Sequence, residues 1–107
     1  MERPTRQEIH QLHAEICAGL ADPTRILILY ELADGPQTGT ALARALGLPQ
    51  STVARHLRVL ASKGLVIPTR RGGMVEYALA DHRVIQALDL MRAVLMDRIH
   101  LYQRMAG

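Results

Sequence analysis

Apolar residues recur at three- and four-residue spacing through most of the chain, and that period is interrupted once. Ile9, Leu12, Ile16 and Leu20 predict a first helix over residues 5–20. In "LADPTRILILYELADG", Asp22 suits a helix cap and Pro23 the first helical position. Ile26, Leu29 and Leu32 then mark a buried stripe, and Gly35-Pro36 ends it. Leu27 and Ile28 widen the apolar face, so this helix is expected to be central. "QTGTALARALG" predicts a short third helix, capped at Thr38, buried at Leu42 and Leu46, and closed by Gly47.

A fourth helix follows in "LGLPQSTVARHLRVLASKGLV" and stops at Lys63-Gly64. At ~100° per residue, Val53, Leu57 and Leu60 fall within ~60° of one another. Ser51, Arg55, Arg58 and Ser62 lie opposite. Leu48-Pro49 precedes the helix and implies a proline-started first turn with no side-chain cap. The period then changes. Residues 65–69 and 74–79 read as two strands, with "RRGG" as the hairpin tip. From Asp81 to about Met105 the helical period returns, with Val84, Leu88, Met91, Leu95, Ile99 and Tyr102 on one stripe.

The order is helix, helix, short helix, turn, helix, β-hairpin, helix. That is a mainly α fold with a β-hairpin wing, a winged helix-turn-helix. Residues 38–63 are the helix-turn-helix and 65–79 the wing. The whole chain, 1–107, reads as one domain. In such a unit the second helix of the pair lies in the DNA major groove. Gln50, Ser51, Thr52 and Arg55 are the candidates for base edges, and Arg58 for phosphate. His56 lies toward the apolar edge, where a phosphate contact and a packed, locally bonded ring are both open. Arg70 and Arg71 in the hairpin would reach the backbone or the minor groove.

The last helix changes the picture of assembly. Ile85, Leu90, Val94, Met96 and Leu101 spread apolar surface beyond its stripe, on a helix ~36 Å long. One small domain does not cover so much, which implies a second copy of the chain. The competing expectation is that the first helix covers it within one chain.

Charge is distributed by segment. Residues 1–34 hold six acids against three Arg, and residues 76–107 hold four of each. Residues 35–75 hold no acid, with Arg44, Arg55, Arg58, Lys63, Arg70 and Arg71. An acid-free basic block points to a polyanion, here double-stranded DNA. Composition otherwise fits a soluble globular chain, 49% apolar and 21% charged. With no Trp or Phe, stacking pockets are not expected. Cys17 is the only cysteine, which excludes an intrachain disulfide and a Cys-only zinc site. The polar N-terminus is no signal peptide and no run is long enough for a membrane span, so a cytoplasmic location is expected.

"LADPTRILILYEL", "LARALGLPQSTVARHLRVLASKGLV" and "RRGGMVEYAL", in that order, resemble the ArsR/SmtB family of bacterial winged-helix repressors. The resemblance covers roughly residues 14–85. It implies a homodimer paired through the first and last helices (5–20 and 81–105), bound to an inverted-repeat operator. An inducer, often a metal ion, would release the DNA.

The family's metal sites do not carry over intact. A thiolate site at the start of the third helix would fall on Thr38 and Thr40, and neither is a thiol. The zinc-type site of the last helix would fall on Asp81, Arg83, Val94 and Asp97, which keeps two carboxylates and loses both imidazoles. Another donor set is His10, His13 and Cys17, spaced i, i+3, i+7 on one edge of the first helix. His100 could approach from the last helix. Their N and S atoms suit zinc, nickel or copper. The alternative is a buried, inert Cys17 with two exposed histidines. A non-metal effector, or none, is a further alternative.

No nucleophile motif or phosphate loop suggests an enzyme. The competing functional class is a winged helix used for protein contact, with weak or no DNA binding.

Overall fold

The computed structural model describes residues 2–106. A first helical run, α1, spans residues 6–20. It is α-helical over Arg6–Leu12, widens to a π turn over His13–Cys17, and returns to α over Ala18–Leu20. Helix α2 is Pro23–Leu32, β1 is Gln37–Thr38, α3 is Gly39–Leu46 and α4 is Gln50–Ser62. Strands β2 (Val66–Arg71) and β3 (Met74–Leu79) precede α5, Arg83–Ala106.

The caps explain where these elements begin and end. The Asp22 carboxylate accepts from Thr24 N–H and Thr38 Oγ1 from Ala41 N–H, so each satisfies a first-turn donor. Gly47 and Gly64 take φ of +66° and +70°, where a side chain would be strained. Each closes its helix with a paired bond: Leu48 N–H to Ala43 O, and Leu65 N–H to Leu60 O. Pro49 occupies the cap of α4 itself, one position earlier than a proline-started first turn requires.

The sheet order is β1-β3-β2, all antiparallel. The wing's tip is narrower than expected. Gly72 and Gly73 alone form the loop, both at positive φ, as a tight two-residue hairpin demands. Arg70 and Arg71 are strand residues, opposite Val75 and Met74. β1 was not foreseen, because two residues carry no alternation to read. Pro68 lies on the edge strand β2, where its missing N–H leaves one donor fewer for edge pairing.

The core is the expected aliphatic set. Ile28, Leu29 and Leu32 of α2 pack with Leu42, Val53, Leu57 and Leu60, and are closed by Leu65, Val66, Leu79 and Leu88. That packing sets α4 on the domain by its apolar face and leaves its other face outward. α5 contributes only Leu88 as a fully buried residue, with Val84 and Ile85 half-buried. From Asp89 onward every described residue of α5 is exposed. The protomer is accordingly extended, with a radius of gyration of 16.4 Å against ~13 Å for a compact chain of this length. α1 does not cover the surplus: its own Ile9 and Leu12 are exposed too.

Candidate nucleic-acid interface

On the outward face of α4, Gln50, Ser51, Arg55 and Arg58 are exposed and Thr52 is half-buried. Neither Arg55 nor Arg58 joins an ion pair among the described residues. Gln50 Nε2 donates to Thr40 Oγ1 at 3.4 Å, tying the starts of α3 and α4. Pro49 provides no side-chain cap, so the first-turn N–H groups of α4 stand at an exposed helix N-terminus, where an anion binds well. Sequence alone gives Thr40 no role of its own. Its place beside Gln50 follows from the turn between the two helices.

The wing contributes unequally. Arg70 is exposed and forms no ion pair among the described residues, whereas Arg71 Nε lies 3.1 Å from Glu76 Oε1 across the hairpin. Such an exposed pair is weak, and a phosphate would compete for the guanidinium.

Of the two places open to His56, the ring takes the packed, locally bonded one. It is only 7% exposed and faces the start of α2, because its phase on α4 lies beside Val53 and Leu60. Arg25 Nη1 sits 3.3 Å from Nδ1, and Asp22 Oδ1 sits 4.0 Å from Nε2. Guanidinium has only donors, so Nδ1 accepts and Nε2 carries the proton toward Asp22. Burial raises the Asp22 carboxyl, but the Thr24 N–H bond, then the neighbouring His56 ring, then the Arg25 N–H and guanidinium, hold it below the usual carboxylate value.

No three His, Cys, Asp or Glu side chains lie together as a metal site among the described residues. His10, His13 and Cys17 are all exposed, as is His100, and they do not meet within one protomer. The expected buried Cys17 is therefore also corrected. The π turn between His13 and Cys17 rotates the thiol from the phase an unbroken α-helix would give it. At the zinc-type position, Arg83 forks onto Asp81, with Nη2–Oδ2 at 2.7 Å and Nε–Oδ1 at 3.1 Å. A guanidinium already holds the carboxylate that a cation would need, so these residues do not fit a metal.

α5 is fastened to the domain by a polar cluster. Tyr30 Oη donates to Asp89 Oδ1 at 2.6 Å, Arg92 Nη1 lies 2.9 Å from the same carboxylate, and its guanidinium sits 5.2 Å from the Tyr30 ring centre. The Tyr30 hydroxyl, then Arg92, lower the Asp89 carboxyl; burial, then Asp89, raise the Tyr30 phenol. No helix among the described residues is long and apolar enough to cross a membrane.

Comparison with known proteins adds four findings. Residues 22–67 match the family model for bacterial regulatory proteins of the arsR family. The Mycobacterium tuberculosis transcriptional regulator NmtR is 41% identical over 90 residues, spanning 81% of this chain and 75% of that protein. Among solved structures, the homodimeric winged helix-turn-helix DNA-binding domain of a possible ArsR-family regulator from Mycobacterium bovis superposes with a TM-score of 0.75. It is 28% identical and covers 92% of this chain and 94% of that one. The cadmium metal-sensor CmtR of Mycobacterium tuberculosis gives a TM-score of 0.61 at 46% identity, covering 71% and 79%.

Proposed function

Because the chain belongs to the arsR family of bacterial regulatory proteins, we propose that it is a homodimeric repressor that binds an inverted-repeat operator in double-stranded DNA. The observation that carries this reading is the outward face of α4. Arg55 and Arg58, like Arg70 of the wing, stand exposed and outside any ion pair among the described residues, in a stretch with no acid between residues 35 and 75. Two such faces, paired by a twofold axis, read two half-sites on one side of the duplex. The apolar surfaces of α1 and α5 supply the pairing: Ile9, Leu12, Leu90, Leu95 and Met105 are all exposed in a protomer.

Selection of a duplex from a random pool, followed by a salt titration, tests the reading. The logarithm of the affinity should fall linearly with the logarithm of salt, by about 0.9 for each phosphate neutralised. Negligible DNA affinity at every salt concentration would leave the wing and α4 as a protein-contact module and overturn the proposal.

An inducer releases the DNA in this reading. A transition metal would find donors on α1 and α5, in His10, His13 and Cys17 of one protomer with His100 of a second copy. The support is that all four are exposed on the two helices whose apolar faces await a partner. A panel of zinc, nickel, copper and cadmium against the protein–DNA complex is the test, with Cys17→Ser as the control. If no metal changes the affinity of the wild type, the donors are ordinary surface residues.

A further inference from the structure

α1 is tied to the DNA-reading helix at three points, two through the residues that follow the C-terminus of α4 and one through Arg25 of α2. At the π turn, Ala18 N–H bonds back to His13 O rather than to Ala14 O, its ordinary α-helical acceptor. Ala14 O instead receives Lys63 Nζ, at 2.9 Å, from the C-terminal cap of α4. One turn further along, Gly19 is buried against the residue that closes α4. A Cβ there would stand 2.5 Å from Leu65 Cδ1, so the Leu65 side chain packs directly on the glycine and would have to shift for any larger residue. At the third point, Arg25 donates from Nε to Gly19 O at 2.8 Å and from Nη2 to Ala18 O at 3.2 Å, while Nη1 reaches His56 in the middle of α4.

These contacts have one thing in common. The last carbonyls of a helix, and the carbonyl released by a π turn, keep a lone pair for a donor from outside the helix, and Ala18 O takes one beside its bond from Ala21 N–H. Here they are filled by cations that belong to, or lean on, α4. The polar bonds fix direction and the Gly19–Leu65 contact fixes distance.

We propose that Lys63 and Arg25 are positioning residues that make the setting of the DNA-reading helix depend on α1. Lys63 then acts on Ala14 of α1, at the surface, although its charge counts in the basic block. The inference rests on the reading above, in which α1 pairs protomers and α4 reads DNA. A displacement of α1, by an inducer or by a change in pairing, tilts α4 through this joint without touching its DNA-facing side.

The test is Lys63→Met, which keeps most of the stem, with Lys63→Arg as the conservative rescue. Amide hydrogen exchange on the free protein comes first. In Lys63→Met, protection should fall together at residues 13–19 of α1 and at the end of α4, and Lys63→Arg should restore it. Binding to the selected duplex comes second. Loss of one charge-assisted hydrogen bond should weaken it about threefold to tenfold. The salt slope should stay unchanged, whereas a lost phosphate contact lowers it by about 0.9. Unaltered exchange in Lys63→Met, or a slope reduced by one contact, overturns the proposal. If the wild type binds no duplex, the DNA reading fails, and the exchange experiment still decides whether the joint exists.

Discussion

Arg83 closes on Asp81 with both nitrogen and oxygen pairs, at 2.7 Å and 3.1 Å, at the first turn of α5. Asp81 Oδ1 also accepts from Arg83 N–H at 2.9 Å, so one carboxylate starts the helix and holds the guanidinium. The Arg83 side chain, then its N–H, bring the Asp81 carboxyl down to about 2 from the usual 3.8. A carboxylate lowered on folding adds stability that is fully present above the unfolded value. That contribution disappears as pH falls from about 3.8 through about 2. Asp81→Asn should therefore lower stability at neutral pH and flatten the acid limb, so that the two proteins converge near pH 2. Urea unfolding from pH 7 to pH 2 measures it, and parallel curves for the two proteins would show that the fork contributes nothing.

On α4, the two exposed arginines should separate by what they contact. Arg55 is the candidate base reader, so Arg55→Ala should weaken operator binding by about 1–3 kcal/mol and relax preference at one or two base pairs. Arg58→Ala should weaken all sequences alike and reduce the salt slope by about 1. Repeating the random-pool selection with each variant distinguishes them. An unchanged sequence preference in Arg55→Ala removes it from the base-reading set.

The sequence made the helices, the wing and the buried stripe legible because each is a periodic pattern with a stop residue. Asp22, Thr38, Gly47 and Gly64 all act where local chemistry places them. What escaped was interaction between distant segments. Lys63 and Ala14 lie 49 residues apart, and Arg25 and His56 lie 31 apart. Nothing local to "SKGLV" announces that its lysine reaches across to α1. The π turn escaped for a related reason, since one inserted position in a helix leaves the apolar spacing almost intact. His56 was ambiguous because it stands at the boundary of the two faces, and α2 decides which face claims it. The tip arginines were assigned to the loop because glycine pairs mark a turn but not its length.

His56 should be a stability residue. Its ring fills the space between α2 and α4, and removing it leaves Arg25 Nη1 without that acceptor. His56→Ala should cost about 1–3 kcal/mol of folding stability. Because the ring is 7% exposed and turned toward Asp22, the salt slope of DNA binding should not change. Denaturant unfolding and the salt titration check the two halves separately. A slope lowered by one contact would return His56 to the DNA surface.

The outer half of α5 distinguishes a folding role from an assembly role. Leu95 is 55% exposed and Leu90 71% exposed, so neither contributes much to the core of a protomer. The domain is held instead by Leu88, and by Tyr30 with Asp89 and Arg92, all at or before the fourth residue after Leu88. Leu95→Glu should therefore leave the protomer folded. Across a dimer interface the same change places a charge where an apolar side chain worth about 1.5–3 kcal/mol is buried on each side. The expected outcome is monomer in sedimentation, with helical circular dichroism retained. DNA affinity should fall as well, because one protomer holds only one half-site. A variant that remains dimeric would place the interface elsewhere. A variant that unfolds would show that α5 is core rather than seam.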